Sequence, residues 1–143
     1  AVVAEVGSGA APVPMGPGRY CLVKGSPEAL GPLLAPGAAP AWYQEAHTVL
    51  AERGLRVLAL ALRRLAEGTD CEGLAREDAE RGLAFAGFVA FECLARADSA
   101  LVIGALRESG HEVAMLTGDS PLTALHVART CGITDGDLPG LLL

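Results

Sequence analysis

The sequence predicts an α/β fold that includes a β-α-β-α unit of parallel sheet between Leu83 and Gly132. Three observations carry this expectation. Two apolar runs, Leu83 to Phe91 and Val113 to Leu116, have the length of buried strands. Each is followed by a segment of helical periodicity, first Leu101, Val102, Ala105 and Leu106, then Leu122, Leu125 and Ala128 with Val127 and Cys131 at the margin. Gly110 and Gly132 stand where those helices should stop. Strand and helix alternating in this way normally build a parallel sheet with right-handed crossovers.

The preceding chain supplies further elements. Residues Ala1 to Gly18 are rich in Ala, Val, Gly and Pro, and Pro12, Pro14 and Pro17 forbid a regular helix there, so they are expected to form a linker or variable loop. Arg19 to Val23 reads as a strand ending at Lys24-Gly25. Ser26 suits an N-cap, Pro27 the first helical position and Glu28 the first turn of a short helix to about Leu34. After a break at Ala35 to Pro40, Ala41 to Arg53 has helical spacing, with Trp42, Ala46, Val49 and Leu50 on one side, and Gly54 ends it. Leu55 to Leu62 is a strand, apolar on both faces except at Arg56. Arg63 to Asp78 is a polar connection with a short helix near Arg76 to Arg81. Asp98 or Ser99 should cap the helix that runs to Ser109, and Ser120 with Pro121 should start the last one. The tail, Thr134 to Leu143, breaks the pattern and reads as truncated or divergent.

Composition narrows the function. A hydrophobic content of 51% is ample for a core, but aromatics make up only 4%, so packing must rest on small and aliphatic side chains. With 11 basic and 17 acidic residues the net charge is −6, and no basic stripe is present, which argues against nucleic acid as a partner. No apolar run approaches the roughly 18–20 residues of a membrane-spanning helix. The start has neither a methionine nor a signal-peptide pattern, so an interior piece of a longer chain is expected. Cys21, Cys71, Cys93 and Cys131 are far apart, and His47, His111 and His126 have no partner at ligand spacing. This pattern suits buried or incidental thiols of a reducing compartment, with no metal set.

Candidate chemistry lies at element ends. Thr117-Gly118-Asp119 stands between an apolar run and a helix start, where free N–H groups could face an anion, although an ordinary strand-to-helix turn has the same spacing. Lys24, the only lysine, sits beside Gly25 at a strand end; it suits a nucleotide or is a surface lysine in a turn. The G-x-x-x-x-G-K-[ST] pattern of a P-loop is lacking. Arg56 is either paired internally or offered to a phosphate. Asp98 with Arg96 could serve a phosphate and its Mg²⁺, or cap a helix.

The order of these signals is more specific than any one of them. K-G-S-P-E, then G-L-R-V-L-A-L-A, then an apolar strand followed by Asp98, then M-L-T-G-D-S-P-L-T-A-L-H-V-A-R-T-C-G-I resembles the cytosolic catalytic portion of a P-type ATPase from Tyr20 to Ile133. The segments around Cys93 to Ser99 and Gly118 to Ala128 look most like the fifth subfamily (type V). Its A branch, endoplasmic-reticulum transporters acting on transmembrane helices, fits better than the polyamine-associated B branch.

The resemblance implies that residues 19–82 end a nucleotide-binding domain and that residues 83–133 are part of a phosphorylation domain with a haloacid-dehalogenase-like parallel sheet. It places Lys24 and Gly25 near the adenine of ATP and Arg56 on its phosphates. Thr117, Gly118 and Asp119 would hold the transferred phosphoryl group, and Asp98 would sit at the hinge, where the family's D-P-P-R is replaced by Arg96-Ala97-Asp98. ATP and Mg²⁺ are the implied cofactors of the complete protein. Its remaining cytosolic and transmembrane domains are the implied partners, and the cytosolic face of the endoplasmic reticulum the implied location. The family's phosphorylated D-K-T-G-T and its G-D-G-x-N-D are absent from this sequence, so the chain is expected to be inactive alone. Two rival readings are a soluble haloacid-dehalogenase-like phosphatase, which requires an upstream D-x-D that is missing here, and a non-catalytic nucleotide-binding module.

Overall fold

The computed structural model describes residues 1–7, 15–92 and 94–134. Contacts divide the chain into two units, Ala1–Tyr43 with Leu58–Val89, and Gln44–Val57 with Ala90–Leu143.

In the first unit the elements are β1 (Val2–Val6), β2 (Gly18–Gly25), α1 (Pro27–Leu30) running into a 3₁₀ turn (Gly31–Leu33), β3 (Leu55–Arg64, from Leu58 on), α3 (Arg76–Ala79) and β4 (Ala84–Glu92, up to Val89). The sheet order is β1-β2-β3-β4. β1 and β2 pair antiparallel from Val2↔Leu22 to Val6↔Gly18, and β2 and β3 antiparallel from Tyr20↔Arg64 to Gly25↔Ala59.

Alternation sets the core. Cys21 and Val23 on β2, and Ala59 and Ala61 on β3, point to one face and are buried against Leu30, Tyr43, Leu65, Ala79 and Leu83. Leu30 and Leu83 are the largest of the fully enclosed side chains. Ser26 caps α1 as its sequence predicts, accepting from the Ala29 amide at 3.2 Å. Trp42, Tyr43, Phe85 and Phe88 gather with ring centroids 4.9–6.3 Å apart, mostly edge to face. The Tyr43 hydroxyl donates to the Pro27 carbonyl at 2.9 Å; burial first, and Glu28 second, push its pKa up.

The second unit holds α2 (Tyr43–Glu52, all but its first residue), α4 (Ser99–Glu108) and α5 (Pro121–Thr130).

Several expectations need correction. Val2–Val6 is an edge strand, not part of a linker; it is largely exposed, so it needs no apolar face, and its valines suit pairing. Leu83 to Phe91 is not a fully buried strand. Leu83 is core, but β4 lies at the sheet's other edge and Phe91 is 47% exposed. On α2 the buried stripe is Tyr43, His47 and Ala51, spaced by four, whereas Val49 is exposed and Trp42, just before the helix, is only half-buried against Phe85 and Phe88. On α4, Leu101, Val102 and Leu106 are exposed. Residues 111–116 form no strand, and Leu116 is fully exposed. A strand exists only through its partners, and none of the described residues pairs with this run. The parallel β-α-β-α unit is therefore not formed among the described residues, where the paired strands of known direction are antiparallel.

Candidate functional site

The turn expected to carry chemistry is built on the start of α5. Ser120 is extended (φ −61°, ψ 147°), Pro121 opens the helix, and the Ser120 hydroxyl accepts from the Thr123 amide at 3.4 Å. Just before it, the Thr117 hydroxyl accepts from the Asp119 amide at 3.1 Å and closes the Thr117-Gly118-Asp119 turn.

Residues at the entry to β3 meet this segment within the same unit. Thr123 is 2% exposed and its hydroxyl donates to the Leu55 carbonyl at 3.1 Å. Its single proton being used there, the 3.0 Å contact between the two hydroxyls has Ser120 as donor. The next residue, Arg56, places Nε 3.5 Å from a carboxylate oxygen of Asp119, with side chains 61% and 34% exposed. On the other side of Leu55, Gly54 has φ +79°, and an added Cβ would overlap the His126 ring. Replacing Gly54 by alanine is expected to destabilise this unit by about 1–2 kcal/mol from the left-handed backbone alone, with more from displacing the imidazole. Chemical denaturation should show a smaller loss for Gly54→Ala made in a His126→Ala background than in the parent.

Lys24 and Gly25 belong to the first unit, at the end of β2. Lys24 is exposed and borders an open cavity of ≈ 530 Å³ whose other walls are apolar, from Val2, Leu22, Leu60, Leu62 and Ala86 among others. A cation at the mouth of an apolar recess suits a flat heteroaromatic base attached to phosphates.

Asp98 occupies the N-cap position of α4 but makes no capping bond. Arg96 takes its carboxylate with Nε and Nη2, at 3.0 and 2.8 Å, and this pairing holds Asp98 below the usual carboxylate range. A depressed carboxyl keeps its pairing at neutral pH and loses it as pH falls through that lowered value. The carboxyl carbon of Asp98 is accordingly expected to titrate below an ordinary aspartate by NMR, and Arg96→Gln to return it toward the ordinary value.

Thus Thr117, Asp119 and Arg56 come together, while Asp98 is engaged by Arg96 and Lys24 lies in the other unit. The sequence reading missed Thr123 and the Gly54–His126 contact. The only available signal was the spacing of Ser120 and Thr123, three apart at a helix start. The buried face of α5 is Thr123, Ala124, Ala128 and Cys131, not the expected Leu122 and Leu125, because Thr123 enters it as a hydrogen-bonded polar group. Cys21 and Cys131 are buried and Cys71 half-buried, all as free thiols, while Cys93 and the tail from 135 lie outside the described residues. Among the described residues no three His, Cys, Asp or Glu side chains cluster as metal ligands, and no helix is long and apolar enough to cross a membrane.

No family model matches the chain. It is 40% identical over 121 residues, 81% of its length, to the endoplasmic reticulum transmembrane helix translocase spfA of Aspergillus fumigatus. It is 43% identical over 108 residues, 74% of its length, to the probable manganese-transporting ATPase PDR2 of Arabidopsis thaliana. To the polyamine-transporting ATPase 13A2 of Mus musculus it is 35% identical over 114 residues, 78% of its length. The matched part is 9%, 9% and 10% of these relatives, so the chain spans about a tenth of their length.

Proposed function

Because this chain belongs to the type V P-type ATPases, we propose that it handles ATP in the cytosolic part of such an enzyme. The observation that carries the reading is the meeting of Arg56 with the Thr117–Asp119 turn, one the expected phosphate ligand and the other the expected phosphoryl-holding turn. Residues 19–82 then end the nucleotide-binding domain. Residues 83–133 are part of a haloacid-dehalogenase-like phosphorylation domain, whose parallel sheet requires strands from elsewhere in the polypeptide. Residues 1–18 and 134–143 would flank these two parts. Asp98 lies near the hinge.

The chemistry follows from the groups. Lys24, which borders the apolar cavity, and the neighbouring Gly25 receive the adenine end. In the other unit, Arg56 is the residue offered to phosphates. Its guanidinium pairs with Asp119 at 3.5 Å, partly in water; a polyphosphate offers more charge and a bidentate fit, and so displaces the carboxylate. The Thr117 hydroxyl then donates to a phosphoryl oxygen, with Gly118 allowing close backbone approach. Mg²⁺ would offset phosphate charge in the complete enzyme. No cluster of metal ligands stands among the described residues.

In the complete enzyme, hydrolysis through an aspartyl phosphate would drive transport across an internal membrane, with this region on the cytosolic face. The 40% identity to a helix translocase, against 35% to a polyamine transporter, supports the A-branch assignment and the endoplasmic reticulum. With no D-K-T-G-T in the sequence, the isolated chain should neither turn over ATP nor trap an acyl phosphate. Radiolabelled ATP tests this, and turnover or acid-stable label on the chain would refute the assignment. In the full-length enzyme, Thr117→Ala should abolish the phosphorylated intermediate.

A further inference from the structure

We propose that Thr123 is a positioning residue that seats the Arg56 guanidinium against the Thr117–Asp119 turn, an inference that rests on the phosphate role of Arg56. Three consecutive residues at the entry to β3 meet three residues of the α5 segment in reverse order. Gly54 lies against the His126 ring, Leu55 accepts from Thr123, and Arg56 pairs with Asp119. These three contacts are unequal. The Arg56–Asp119 pair is partly in water, with Arg56 61% exposed, and cannot by itself hold a long side chain in one place. His126 is exposed and its ring can swing away. Of the three, the Thr123 contact is part-buried and made by a side chain only 2% exposed, where a hydrogen bond is stronger than in water and leaving it unmade costs more.

Its target matters as much as its burial. The Leu55 carbonyl and the Arg56 amide share one planar peptide unit. A hydroxyl that fixes that carbonyl therefore fixes the plane from which the Arg56 side chain projects. Ser120 completes the relay by donating to the Thr123 hydroxyl while accepting from the Thr123 amide. Because Ser120 directly follows Asp119, the relay ties the peptide before Arg56 to the residue after its carboxylate partner. The two halves of the ion pair are thus held by one part-buried hydrogen-bonded pair of hydroxyls.

The test uses the whole 143-residue chain, ¹⁵N-labelled, and follows solvent exchange of the Arg56 Nε–H. Thr123→Val, which keeps the shape and removes the donor, should accelerate that exchange about fivefold or more, whereas Thr123→Ser should leave it near the parent rate. Binding of adenylyl imidodiphosphate should weaken about tenfold in Thr123→Val, with adenosine binding unchanged, a split that general loosening of the fold would not produce. An unchanged Arg56 exchange rate in a folded Thr123→Val chain overturns the proposal. Should that variant not fold, the parent decides: a slowly exchanging Thr123 hydroxyl proton with a nuclear Overhauser effect to Leu55 supports the relay, and its absence overturns it. A parent chain that binds no nucleotide counts against the phosphate role of Arg56, while the Nε–H exchange still decides the positioning.

Discussion

Replacing Leu83 by alanine is expected to destabilise the sheet unit by about 2–5 kcal/mol, the range for deleting an enclosed leucine side chain. Leu83 is completely buried, bridges to Leu34, and packs among Leu30, Tyr43, Ala59 and Ala61. Its backbone exchanges hydrogen bonds with Leu33 and Ala35, at 3.0 and 2.8 Å, so the chain cannot easily shift to refill the space. Urea denaturation should show the midpoint falling with little change in slope. A loss well under 1 kcal/mol would mean that the core is not organised around this residue.

Arg56→Ala should weaken binding of an ATP analogue by about tenfold to a hundredfold, as expected for losing charge-assisted hydrogen bonds to phosphate. Stability should change by less than about 1 kcal/mol, since an exposed ion pair contributes little, so the affinity loss can be assigned to the ligand. Arg56→Lys should recover only part, because an ammonium lacks the planar fork. Adenosine, which has no phosphates, should bind the parent and Arg56→Ala alike. Lys24→Ala should weaken both ligands.

The elements with local signatures were legible before any coordinates. Ser26-Pro27 and Ser120-Pro121 each carry a cap and a proline in adjacent positions, and both start helices as expected. Gly54, Gly110 and Gly132 end helical segments with positive φ. β3 was legible from its apolar run, broken only at Arg56. What failed depended on distant partners. Val113 to Leu116 has a strand's composition, yet composition provides no neighbour to pair with. The apolar stripe of α4 was read from spacing alone, which says nothing of what covers it. The edge strand β1 was hidden because its valines sit beside a proline-rich stretch. At the site, motif order brought forward Arg56, Thr117 and Asp119, and the structure joins them. Thr123 escaped because a buried polar residue shows itself only through the carbonyl it satisfies, sixty-eight residues away in the chain.

The most direct test of the nucleotide-handling role is a calorimetric titration of the 143-residue chain with adenylyl imidodiphosphate, beside Lys24→Ala and Arg56→Ala. Saturable binding to the parent, weakened in both variants, is the predicted result. Equal binding in all three, or none to the parent, would contradict it.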